Sequence, residues 1–220
     1  MAPTWLTAVA WTYLAVCFGC AAAIAYDIFV NNHRQPMAIM NAVFPITALY
    51  FGPLALWFYW RWARTGRPER DRPYWVSMAI ETSHCGAGCT LGDVVSEWIV
   101  FAFGFAVAGS VLAAEYIGDY VLALAFGILF QFFAIAPMRG LGVRDGLRAA
   151  AKADVISLTA FEIGLFGWMA VAFVLFPASN PVMPNSAAFW LLMQIGMIIG
   201  FATSWPANMW LVRRGIKVPM

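Results

Sequence analysis

Long apolar runs, interrupted by proline, glycine and clusters of charge, make up most of this chain. Six runs can be marked: Trp5–Val30, Met37–Trp62, Thr90–Ala114, Tyr120–Met138, Val155–Phe176 and Ala188–Val212. Each holds 19 to 26 residues, enough for a helix rising about 1.5 Å per residue to cross a hydrocarbon core about 30 Å thick. Pro36, Pro68, Pro73, Gly118, Gly140, Pro177, Pro181 and Pro184 mark most of the gaps. Pro45, Pro53 and Pro206 fall inside runs, where membrane helices tolerate kinks. The pattern predicts an all-α fold, a polytopic six-transmembrane-helix bundle forming one membrane domain over residues 1–220, with two spans in 1–79 and four in 80–218. The run at Trp5 has no basic leader and is too long for a signal peptide.

Composition sharpens this picture. Of 220 residues, 63% are hydrophobic and 11% charged, whereas soluble domains carry about 25% charged residues. A soluble core could not hide that much apolar surface, so lipid is the expected partner. The net charge of +2 says little, but the placement of charge says more. Arg61, Arg64, Arg67, Arg70 and Arg72 follow the second run. Arg139, Arg144, Arg148 and Lys152 follow the fourth, and Arg213, Arg214 and Lys217 follow the sixth. With six spans these twelve lie on one side, leaving Arg34 on the other. The positive-inside rule then predicts an N-in/C-in protein. Trp5, Trp57, Trp60, Trp62, Trp190 and Trp210 sit near run ends, as an interfacial belt would.

Candidate chemistry concentrates in Ser83–Asp93, SHCGAGCTLGD, at the predicted cytoplasmic mouth of the third span. Thiolate and imidazole suit copper(I) and zinc, so His84, Cys85 and Cys89 form a candidate metal ligand set. On a helix, Glu81, Cys85, Cys89, Asp93 and Glu97 are spaced by four and form a slowly drifting stripe. The alternative is packing: Gly88 and Gly92 make a small-residue surface of the kind that brings membrane helices together, and buried cysteine often acts as a small hydrophobe.

Acids within spans are costly and usually face a partner or a water-filled cavity. Asp93, Glu97, Asp154, Glu162 and Asn208 are therefore expected to converge as a polar cluster in the inner half of the membrane. The alternative is an ion-pair network with Arg144, Arg148 or Lys152. Cys17, Cys20, Met37, Met40, Met193 and Met197 offer further soft donors for a metal path, although methionine is ordinary core filler. His33 and His84 fall a membrane apart in the six-span reading, so no haem is predicted. Cysteines on the reducing side also argue against disulfides.

HCGAGCTLGD at 84–93, APMRGLG at 136–142, LRAAAKADVISLTAFEIG at 147–164 and WPANMWLVRRGIK at 205–217 resemble a family of bacterial integral membrane proteins catalogued as a domain of unknown function, numbered 4396 and marked by an HCxxGC motif. The resemblance covers about residues 80–218. Asp93 stands where the family usually has glutamate. The resemblance implies a multi-pass protein of the bacterial inner (cytoplasmic) membrane, with His84, Cys85, Cys89, Asp154 and Glu162 in its signature blocks. The layout is also similar to that of mercury-uptake proteins, by analogy only.

The leading expectation is a membrane protein that binds, and moves, a soft transition metal, with copper(I) ahead of zinc or mercury(II). The alternative is an accessory subunit of a larger membrane complex or a homo-oligomer, its glycines used for packing. An enzyme ranks last, because the Cys17-x-x-Cys20 pair lies within a span. No nucleotide-binding motif is present, and nucleic acid is not an expected partner.

Overall fold

The computed structural model describes residues 3–65, 72–176 and 182–217. Arg67, Pro68, Arg70, Pro177 and Pro181 lie outside the described residues. The fold is all-α. Five helices are long and apolar enough to cross a membrane: α1 Thr4–Phe29, α4 Tyr74–Phe103, α5 Val111–Arg139, α6 Val143–Leu175 and α7 Ala187–Arg213. Two short helices, α2 Met40–Phe51 and α3 Pro53–Phe58, precede a π-helical turn at Tyr59–Ala63. The protein is thus a multi-pass membrane protein, and its many exposed Trp, Phe, Leu and Val side chains suit a lipid-facing surface.

Local chemistry sets several boundaries. Ser110 and Ser186 cap α5 and α7, their hydroxyls accepting from the backbone N–H of Ala113 and Phe189. Gly104 and Gly140 end α4 and α5 in the left-handed region, as helix stops often require. Two helices begin well before the expected spans. α4 starts at Tyr74 rather than near Thr90, and α5 at Val111 rather than Tyr120. In both cases polar residues that read as loop are helical and face protein: Glu81, His84 and Asp119 are all buried.

The second expected span is not one straight helix. Gly52 has φ +53°, and Pro53 opens the next helix, its missing N–H costing nothing at that position. The rings of Phe44 and Tyr59 lie 5.5 Å apart, whereas fifteen residues of straight helix would separate them by about 22 Å. Met40–Ala63 is therefore a helical hairpin. Its tip lies beside the middle of α1, where Tyr13 donates a hydrogen bond to the Tyr50 carbonyl at 2.8 Å. Its mouth is pinned to the end of α1: Arg64 Nε and Nη2 hold Asp27 at 2.9 and 3.0 Å, and the Tyr59 hydroxyl donates to the same carboxylate at 3.0 Å. Both ends of the hairpin thus lie at one end of the bundle.

This changes the six-span, N-in/C-in expectation. The start of α1 packs with the start of α7, where Leu6 and Ala10 cluster with Ala187, Ala188 and Leu191. The two helices run parallel, so the start of α1 and the end of α7 lie at opposite ends. A 26-residue apolar run satisfies a length criterion equally well as one crossing or as two short arms. Arg34, expected apart from the other basic residues, lies beside Thr65, at the same end as Arg64.

Helix pairing follows small residues. The most extensive contact is α4 with α5, followed by α6 with α7. A methyl group added at Gly88 would meet Gly127 Cα at 2.6 Å, and one at Gly92 would strike the backbone of Ala123. A methyl at Gly164 would meet Gly200 Cα at 3.0 Å. These are the close backbone approaches that membrane helices use in place of a hydrophobic driving force.

Candidate functional site

Two faces of α4 carry the Ser83–Asp93 motif, separated by the helical rotation of about 100° per residue. His84, Gly88, Gly92 and Ser96 recur every fourth residue and face α5. The His84 ring packs on Phe130, centroids 6.3 Å apart. Gly88 meets Gly127, Gly92 meets Ala123 and Ser96 meets Gly118. One position further on, Glu81, Cys85, Cys89, Asp93 and Glu97 form the second stripe, and all five are buried. Its span of 16 residues from Glu81 to Glu97 corresponds to about 24 Å.

The expected His84/Cys85/Cys89 ligand set is not assembled: among the described residues, no three His, Cys, Asp or Glu side chains are placed to hold a metal ion. The rotation between neighbours explains it, since His84 belongs to the α5-facing row. The cysteines also lie within the helix and not just before it, because α4 starts at Tyr74 and not near Thr90. Cys85 and Cys89 are 11 and 15 residues into α4, about 17 and 23 Å from its start.

Cys85 and Cys89 do face a common region. Cys89 lies within reach of the Cys85 thiol one turn earlier and beside Glu162 of α6. Ser204 Oγ of α7, which donates to the Ser157 carbonyl at 3.0 Å, lies 3.9 Å from Cys85 Sγ. The hairpin tip supplies Tyr50, whose buried hydroxyl sits against Gly86 and has no hydrogen-bond partner among the described residues. Cys85, Cys89, Met193 and Met197 belong to one buried cluster with Tyr50, Phe161 and Leu165. All four cysteines are buried and unpaired.

The soft donors named from the sequence divide. Met193 and Met197 line a cavity of about 450 Å³ between α1, α4 and α7, with Trp11, Trp98, Trp190 and Gln194. Cys17 adjoins this region through Tyr13 and Gln194. Cys20 and Met40 belong to a different cluster around the hairpin and the end of α1, and Met37 packs against it. Met37 and Met40 therefore lie apart from Met193 and Met197, because the hairpin begins at the Arg64 end.

The polar cluster also divides, instead of converging in one half. Toward the start of α5, Asp93 faces Glu162, Asp119 and Glu97, and Glu97 faces Asp119 and Glu115. Both oxygens of Asp93 and of Glu162 are buried without a hydrogen-bond partner among the described residues. At the other end, Glu81, Asp154 and Asn208 surround Lys217. Its Nζ lies 3.0 Å from Glu81 Oε1 and 2.6 Å from Asp154 Oδ1. It donates to Asn208 Oδ1 at 2.8 Å and Ser157 Oγ at 3.2 Å. Burial alone would lower the proton affinity of this amine, but Asp154 and Glu81 outweigh burial and hold it well above the usual lysine range.

Lys217 is the cation that the sequence reading missed in favour of Arg144, Arg148 or Lys152. Its signal was Gly215. At φ +68° it turns the chain back over α7, and Ile216 N–H donates to the Leu211 carbonyl at 3.0 Å. Tyr50, Asp119 and Ser157 were missed as well. Tyr50 and Ser157 lack a pattern of their own, and Asp119 read as a loop residue.

The two histidines are not a membrane apart. His33 lies at the hairpin mouth, its Nδ1 3.3 Å from Asp27 Oδ1, and His84 lies in the half of α4 nearer that end.

A family described as Domain of unknown function (DUF4396) matches residues 74–217. No curated protein and no solved structure matches the chain.

Proposed function

We propose, for a chain that belongs to the DUF4396 family, that it moves a soft monovalent metal ion, copper(I) before others, through the centre of its bundle. The basic residues Arg34, Arg64, Arg144, Arg148, Arg213 and Arg214 gather at one end, which the positive-inside rule makes cytoplasmic. In a bacterial cell this is the inner membrane. The start of α1 is then outside, and α1, α4, α5, α6 and α7 cross while Met40–Ala63 dips in and returns.

The observation that carries this reading is the burial of four sulfur donors, Cys85, Cys89, Met193 and Met197, in one mid-bundle cluster. Two of them also line the cavity toward the outer end. Thiol and thioether donors select copper(I) over the harder, commoner ions. Glu162 beside Cys89 supplies a base that can accept the thiol proton when metal binds, since the thiolate is the ligand form. Asp93 lies next along the stripe.

A structural role has its own support in Gly88 and Gly92, which seat α5. That face is distinct from the thiol face, so seating α5 engages the glycines and does not use Cys85 or Cys89.

A competition titration of copper(I) against a colorimetric chelator, on protein in detergent, tests the binding step. The wild type should bind copper(I), and Cys85→Ser/Cys89→Ser should lose at least tenfold in affinity. Unchanged affinity in the double variant, or no binding by the wild type, would overturn the proposal.

A further inference from the structure

The surroundings of Lys217 have the composition of a cation site more than that of a simple ion pair. Four oxygens from three helices close on one nitrogen: Glu81 of α4, Asp154 and Ser157 of α6, and Asn208 of α7, at 2.6 to 3.2 Å. An ammonium carries three N–H donors, so four oxygens form a shell around it. Two carboxylates face one ammonium, which leaves an excess of negative charge. The ammonium donates to Asp154, Ser157 and Asn208, Glu81 Oε1 meets it as an ion pair only, and Asp154 Oδ2 and both Glu81 oxygens are buried without a hydrogen-bond partner among the described residues. Buried charges at this depth are usually matched by a partner, and here the match is incomplete.

The ammonium is delivered from outside the helices. Lys217 sits on the segment after α7, held by backbone bonds from Gly215, Ile216 and Lys217 to Val212 and Leu211, while its carboxylate and amide partners belong to helices. The site is also joined to the thiol face. Asn208 donates to Ser204 Oγ at 3.1 Å, and Ser204, which donates to the Ser157 carbonyl at 3.0 Å, lies 3.9 Å from Cys85 Sγ.

We propose that Glu81, Asp154, Ser157 and Asn208 form a binding site for a free ammonium-sized monovalent cation, ammonium or potassium, which Lys217 occupies in this structure as a tethered substitute. Departure of the segment after α7 and entry of a free cation are then alternatives. The site is built from hard oxygen donors and does not depend on what the sulfur cluster carries.

The test reads binding, so it is separable from any copper result. Thermal stability of Lys217→Ala in detergent is measured against ammonium chloride, potassium chloride and choline chloride at matched ionic strength. Ammonium or potassium should raise its Tm saturably and choline should not, and the difference between the two salts identifies the ligand. The effect should vanish in Lys217→Ala/Asp154→Asn. No saturable rise, the same rise in all three salts, or persistence in the double variant would overturn the proposal. Should Lys217→Ala fail to fold, the wild type serves instead. Acylation of Lys217 by an amine reagent, followed by mass spectrometry with Lys152 as the internal reference, should accelerate saturably with ammonium or potassium over choline. A labelling rate independent of the cation would overturn it equally.

Discussion

Lys217 Nζ lies 2.6 Å from Asp154 Oδ1, a contact that closes a loop of 63 residues and joins the segment after α7 to the middle of the sequence. Glu81 receives the same ammonium at 3.0 Å, so α4 is tied in as well. Removing one partner of such a buried set leaves uncompensated charge. Lys217→Met should therefore cost about 3–5 kcal/mol of stability, measured by unfolding in detergent or mixed micelles, and Asp154→Asn should cost less because hydrogen bonding survives. The sign with pH follows from the raised proton affinity of Lys217. Its contribution is fully present below the unfolded value of about 10.4 and is lost only as pH rises through the higher folded value. The gap between wild type and Lys217→Met should stay flat from about pH 7 to 9. A gap that closes across that range would show that the ammonium is not held as described.

The glycines of the motif make a contrasting prediction. A methyl at Gly88 meets backbone at 2.6 Å, and one at Gly92 strikes backbone too, so neither collision can be relieved by a side-chain rotation. Gly88→Ala and Gly92→Ala should each destabilise by about 1–3 kcal/mol or more through overpacking. Gly167→Ala, with nothing within 4 Å of the added carbon, should stay within about 0.5 kcal/mol or gain slightly from helix propensity. Equal effects at all three positions would contradict the α4–α5 seating.

The hairpin makes a topological prediction. Single cysteines placed at Thr4, Thr65 and Arg214 can be probed with an impermeant thiol reagent, since the four native cysteines are buried. Thr65 and Arg214 should label from the same side and Thr4 from the other. Thr4 and Thr65 labelling from one side would restore the six-span arrangement.

How far these features could be read beforehand depended on what hydropathy measures. The long helices were legible because runs such as Val155–Phe176 exceed a membrane thickness. Their starts were less so. The stretch from Tyr74 to Cys89 contains Glu81, His84 and small polar residues that lower its hydropathy, yet these side chains face other helices and lie away from lipid. Gly52-Pro53 was the visible sign of the hairpin, but tolerated kinks within spans look the same in sequence. The four-residue spacing of Glu81, Cys85, Cys89, Asp93 and Glu97 was readable, and so was the small-residue surface at Gly88 and Gly92. The separation of His84 from the thiols follows from the same helical geometry. The Lys217 contact with Glu81 was not readable, because no local pattern reports a contact between residues so distant along the chain.

The central claim is that the sulfur cluster carries a soft metal ion through the bundle, and transport into sealed vesicles tests it most directly. Purified protein is reconstituted into liposomes loaded with a copper(I)-responsive fluorescent chelator, and copper(I) is added outside under reducing conditions. The wild type should give a saturable signal well above protein-free liposomes. Cys85→Ser/Cys89→Ser should fall to background, and Met193→Leu/Met197→Leu should slow the rate with less effect on folding, since leucine conserves the volume. A rate in the double cysteine variant equal to that of the folded wild type, or no wild-type signal above protein-free liposomes, would contradict the account.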